Sequence, residues 1–106
     1  MSKFVAKVRL LSTSEGGRKG GIISGYRPNA SFAESINTDV QFELLYNSQL
    51  NPGEEGTVSL KPLNFSSIEP FLHFGSQFII REGPKIIGQG IVLEIVKESE
   101  TLILKK

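Results

Sequence analysis

Hydrophobic positions along this chain recur mostly at every second residue. Phe4, Ala6, Val8 and Leu10 alternate with Val5, Lys7 and Arg9 before Leu11. Val40, Phe42 and Leu44 alternate with Gln41 and Glu43, and Val58 and Leu60 alternate with Thr57, Ser59 and Lys61. Phe78 and Ile80 stand beside Gln77 and Arg81; Ile91, Leu93 and Ile95 are separated by Val92 and Glu94; Leu102 and Leu104 repeat the theme. A period of two predicts half-buried β-strands, because successive side chains leave a strand on opposite faces. Between these runs lie Gly25-Tyr26-Arg27-Pro28, Asn51-Pro52-Gly53 and Gly83-Pro84-Lys85, all with turn chemistry. Ser31-Phe32-Ala33-Glu34 has the spacing of a helical capping box, yet Ser35-Ile36-Asn37-Thr38 carries no apolar 3.6-residue period after it. Ala30–Ala33 therefore reads as an irregular strand.

Composition supports strands over helices: eleven Ile and six Val stand against three Ala. The length of 106 residues suits one small domain. Several short strands spaced by turns at this size predict an all-β fold, either a sandwich or a closed barrel. A small barrel fills its interior with its own side chains, so a ligand cavity is not expected and function belongs to the outer surface. No apolar run is long enough for a membrane helix, and Met1-Ser2-Lys3-Phe4-Val5 lacks the apolar core of a secretory signal. With no cysteine, the expectation is a soluble, cytoplasmic protein. Lys105-Lys106 reads as a solvated basic end.

The residue counts also exclude most catalytic chemistry. There is one His, His73, one Asp, Asp39, and no Cys. None of the twelve serines lies in a G-x-S-x-G elbow, and a zinc site needs three or four ligands. His73, within Pro70-Phe71-Leu72-His73-Phe74, reads as a partly buried, hydrogen-bonded structural residue. Glu54-Glu55 beside Pro52-Gly53 reads as solvated turn charge. Glu15-Gly16-Gly17-Arg18-Lys19-Gly20-Gly21 lacks the lysine and hydroxyl of a Walker A loop, and Gly88-Gln89-Gly90 meets Leu93 where a dinucleotide fingerprint needs glycine. Both segments read more simply as connections whose glycines permit positive φ. The expectation is a non-enzymatic chain without cofactor, metal or small-molecule substrate.

Four segments in register give this surface a more specific reading. Glu15-Gly16-Gly17-Arg18, Gly25-Tyr26-Arg27-Pro28, Pro52-Gly53-Glu54, and Phe78–Gly83 with Gly88–Val92 together resemble the C-terminal β-barrel of translation elongation factor Tu, from about Lys3 to Val96. The resemblance implies a closed antiparallel barrel of about six strands. It implies contact with the T-stem backbone of tRNA through Asn29, Thr38, Glu82 and Gly83, with Lys85 beside them, and a partner interface at Glu15, Gly16, Gly17 and Arg18. Asn29 stands where the family has Gln, and Pro84-Lys85 where it has Gly-Arg; Pro removes a donor and Lys lacks the planar fork of Arg. The GTPase domain and second barrel have no counterpart in these 106 residues. The partners implied are tRNA, another RNA backbone or a translation factor, for a stand-alone relative or an excised domain. The alternative is a protein-interaction mimic of the factor, such as an immunity or decoy protein. Outside the resemblance, Glu82 has a plainer reading as a solvated charge at a strand end, and its replacement by Ala would then leave folding almost unchanged.

Overall fold

The computed structural model describes residues 2–97. Six strands follow the alternation: β1 (Lys3–Leu10), β2 (Asn29–Ala33), β3 (Ile36–Leu44), β4 (Glu55–Pro62), β5 (Gln77–Glu82) and β6 (Lys85–Val96). They close into an antiparallel barrel in the order β1-β4-β3-β2-β5-β6. This is the fold expected, and closure leaves no unpaired sheet edge. The expected strand at Leu102 and Leu104 and the basic end Lys105-Lys106 lie outside the described residues.

Inward positions of the strands supply the core. Phe4, Ala6, Val8 and Leu10 of β1 are buried, as are Val40 and Phe42 of β3, Val58 and Leu60 of β4, and Phe78 and Ile80 of β5. The ring of Phe4 meets Phe78 edge-on at 5.6 Å and Phe32 at 5.9 Å, so three strands are pinned by one aromatic cluster. Gly90 of β6 lies directly opposite Phe78. A Cβ there would stand 2.4 Å from Phe78 Cζ, so only glycine leaves room for the ring.

Several sequence expectations are corrected. Gly88-Gln89-Gly90 is not a connection; it lies inside β6, with its glycines set by close approach of Arg9 and Phe78. Ala30–Ala33 is indeed strand, within β2, and its irregularity is a register shift between Ser31 and Ala33. A helical turn that the alternation did not announce, α1 (Phe65–Ile68), is capped by the Asn64 side chain on Ser67 N–H and buries Ile68. His73 is exposed, because the loop after α1 turns Leu72 inward instead. The β5–β6 hairpin turns on Gly83-Pro84 alone. Gly83 has φ +61°, the conformation that a two-residue hairpin of this hand requires at its first position. Pro84 therefore occupies the one turn position whose fixed φ and missing donor leave the hairpin intact.

Candidate functional site

The EGGR, GYRP and REG segments meet at one carboxylate. Glu82, at the end of β5, accepts from Arg18 Nη1 at 2.5 Å and from the Tyr26 hydroxyl at 2.5 Å, both on Oε2. The Arg18 guanidinium also lies 5.0 Å from the centre of the Tyr26 ring, within cation–π range. Tyr26 packs edge-on against Phe42 at 5.5 Å, which fixes the cluster to the barrel wall. Glu82 is therefore no solvated strand end; it ties the loop after β1, the loop before β2 and the β5–β6 hairpin together. Its replacement by Ala would leave Arg18 and Tyr26 without their shared acceptor, so a measurable loss of stability is expected where the plainer sequence reading expects almost none.

Burial pushes the Tyr26 phenol well above its ordinary value of 10, and the Glu82 hydrogen bond adds to the shift. The unfolded chain thus loses the tyrosine proton first, and stability falls as the pH rises beyond about 10. With Tyr46→Phe leaving Tyr26 as the only tyrosine, ultraviolet titration should place its ionisation higher in the folded protein than in urea. Adding Glu82→Ala should lower the folded value. Coincident folded and unfolded titrations would dismiss the buried cluster.

The Glu15–Arg18 segment is divided by the fold. Ser12 and Glu15 form a capping box on the 3₁₀ turn Thr13–Glu15, with Ser12 N–H donating to Glu15 Oε1 at 2.8 Å and Glu15 N–H donating to Ser12 Oγ at 3.2 Å. Arg9 Nη2 donates to both Glu15 carboxylate oxygens, at 2.9 and 3.0 Å. The backbone donor of Ser12 and then Arg9 hold the Glu15 carboxyl below its usual range. Glu15 and Gly16 face solvent, and Gly16 takes φ +91°, as the glycine reading expected. Gly17 is buried against the Leu11 carbonyl and Arg18 turns toward Glu82. Only the first half of the segment is thus presented outward.

The other sequence-named residues are placed unequally. Asn29 is the Cα partner of Asp39 on one side and Arg81 on the other, and its Nδ2 donates to Asn37 Oδ1 at 3.0 Å and Asp39 Oδ1 at 3.2 Å. Thr38 is 6% exposed; its Oγ1 accepts from Asn64 N–H at 3.0 Å and donates to the Asp39 carbonyl at 3.2 Å, anchoring the entry to α1. Gly83 and Lys85 are exposed on the hairpin, next to Arg81. Lys61, a cation that sequence reading did not single out, lines a 250 Å³ cleft with Arg27, Asp39 and Leu63. Alternation places Lys61 on an outer face, but only the β3–β4 pairing, together with the backbone bonds of Tyr26 and Pro28 to β3, brings it beside Arg27.

Among the described residues there is no group of three or more His, Asp or Glu side chains able to hold a metal, and no helix long and apolar enough to cross a membrane. The described residues thus form a closed antiparallel barrel whose polar side chains lie mostly on loops and outer strand faces. Residues 1–96 match the model of the elongation factor Tu C-terminal domain family, and the chain belongs to that family.

Proposed function

We propose that this chain is a non-enzymatic binding module of translation that lays the surface around Asn29 and the β5–β6 hairpin against the phosphate backbone of an RNA helix, tRNA being the natural test. The observation that carries this reading is the neighbourhood of Asn29, Arg81, Gly83 and Lys85: Asn29 and Arg81 are cross-strand partners, and the hairpin follows within two residues. The exposed Lys85 and Gly83 offer a cation and an open backbone to phosphate. Arg27 and Lys61 add positive charge beyond Asp39. Thr38 and Glu82 support that surface from behind, holding α1 and the Arg18 loop. The reading carries with it a cytoplasmic location and no cofactor.

A net charge of +1 sets a modest affinity, since phosphate contacts dominate such binding and scale with the cations applied. Fluorescence anisotropy with labelled tRNA should show binding at about 50 mM salt that weakens steeply by about 200 mM. Lys85→Ala should weaken it at every salt concentration and reduce the salt slope by about 1. Absence of binding at the lower salt would overturn the RNA reading.

A second reading, a protein partner such as a translation factor or a mimic's target, is favoured by one observation. Two of the residues implied to meet RNA, Thr38 and Glu82, have their side-chain oxygens engaged within the chain. Salt-insensitive binding of a purified translation factor, unchanged by Lys85→Ala, would select it over RNA.

A further inference from the structure

A groove of about 780 Å³ runs across the outer faces of β1, β6, β5 and β2, bordered at one end by Arg81 beside the Gly83-Pro84 turn. Strand register lays out its floor. One row crosses from Arg9 to Gln89 to Ile79 to Ser31, and the next from Lys7 to Ile91 to Gln77. Ile91 is 42% exposed and Ile79 half-buried, so the centre is apolar and open. Cations flank it: Lys7 and Arg9 on β1, and Arg81 two residues beyond Ile79 on the same face of β5.

These cations are not equally satisfied. Arg9 is bound by Glu15 and faces Glu55 across the β1–β4 pair. Lys7, which is exposed, has Thr57 and Ile91 as cross-strand partners and no ion pair among the described residues. Among the described residues Arg81 reaches only the Pro84 carbonyl, at 3.4 Å. The two acids of the lining, Glu34 and Glu55, belong to the outermost elements, just past β2 and on β4. Positive charge awaiting a counter-charge therefore sits on either side of the isoleucines.

We propose that this groove binds an extended acidic peptide segment with an apolar residue between its carboxylates. Its width fits: β1 to β2 spans three strand spacings, roughly 14 Å, the length of about four extended residues. In an extended segment, residues two and four apart share a face, so carboxylates four residues apart can be directed at Lys7 and Arg81 while the apolar residue midway between them, on that same face, covers Ile79 and Ile91. The closed barrel has no edge for strand addition, so recognition rests on these side chains, and the volume lies within the range of built ligand sites. Arg81 is shared with the proposed RNA surface, whereas Lys7, Ile79 and Ile91 belong to the groove alone, so Lys7 tells the two apart.

The test uses the folded chain and a labelled pentapeptide of sequence Glu-Ser-Ile-Ser-Glu, with Gln-Ser-Ile-Ser-Gln and an RNA hairpin as comparison ligands. The acidic peptide is expected to bind roughly tenfold more tightly than the amide peptide, with Lys7→Ala and Arg81→Ala each costing about 2- to 5-fold, the range of exposed ion pairs. Circular dichroism confirms that the exposed Lys7 variant is folded, and Lys7→Ala should leave RNA binding unchanged. Equal binding of the two peptides, indifference to Lys7→Ala, or RNA as the sole ligand lost with Lys7 would each overturn the proposal.

Discussion

Phe4→Ala is expected to lower the folding free energy by about 3–5 kcal/mol. Phe4 is fully buried, and its ring is the shared partner of Phe78 and Phe32. Truncation removes the transfer free energy of the ring, leaves a cavity between β1, β2 and β5, and breaks two edge-on aromatic contacts worth about 0.5–1.5 kcal/mol each. Domains of this size hold about 5–15 kcal/mol in total. At roughly 4–8 °C per kcal/mol, the melting temperature should fall by at least 12 °C, and the variant is expected to approach unfolding at 37 °C. Thermal and urea denaturation followed by circular dichroism measure the loss. A change below about 1 kcal/mol would mean that the aromatic cluster does not close the barrel as described.

Gly90→Val is expected to cost about 1–3 kcal/mol or more, although valine is the better strand former. The conflict is steric. A Cβ at Gly90 would lie 2.4, 2.7 and 2.9 Å from three atoms of the Phe78 ring, which is itself held by Phe4 and Phe32. The ring has no free direction in which to yield, so the strand must shift or the cluster open. Phe78→Leu should relieve part of the penalty, giving a double-mutant coupling of about 0.5–3 kcal/mol. Additive losses in that cycle would show that Gly90 is required for some reason other than the ring. Because buried Gly90 and Phe78 lie beneath the outer groove, the same cycle also reads whether peptide binding depends on the packing under its floor.

The strands were legible because alternation is a local property. Phe4 through Leu10 declare an inner and an outer face without reference to any partner, and the structure uses them that way. Turns at Asn51-Pro52-Gly53 and Gly83-Pro84 were legible for the same reason. Signals that pointed elsewhere were equally local. Ser31 to Glu34 has capping-box spacing, but Ser31 lies in β2 and its hydroxyl donates to the Ala33 carbonyl. The true box, Ser12 with Glu15, was hidden inside a segment read for its glycines. Short turns such as Phe65–Ile68 carry too few residues to display a helical period, and His73 sits among aromatics in sequence while its loop points it to solvent.

The candidate surface was legible only as a set of residue types. Sequence alone determined an all-β fold, its core positions, its turns and the absence of recognisable catalytic motifs, because each follows from short-range periodicity or composition; the choice of a closed barrel over a sandwich came from the family resemblance. Sequence also supplied the four motifs that led to the family. Tertiary structure decided what those motifs do to one another. Arg18 and Glu82 are 64 positions apart, and no local pattern signals that they share a bond with Tyr26. Barrel closure turned Thr38 inward, left Lys85 outside, and set Lys7 and Arg81 on either side of Ile79 and Ile91. Which charges are paired and which await a partner depends on register between strands distant in sequence, and register exists only once the barrel has closed.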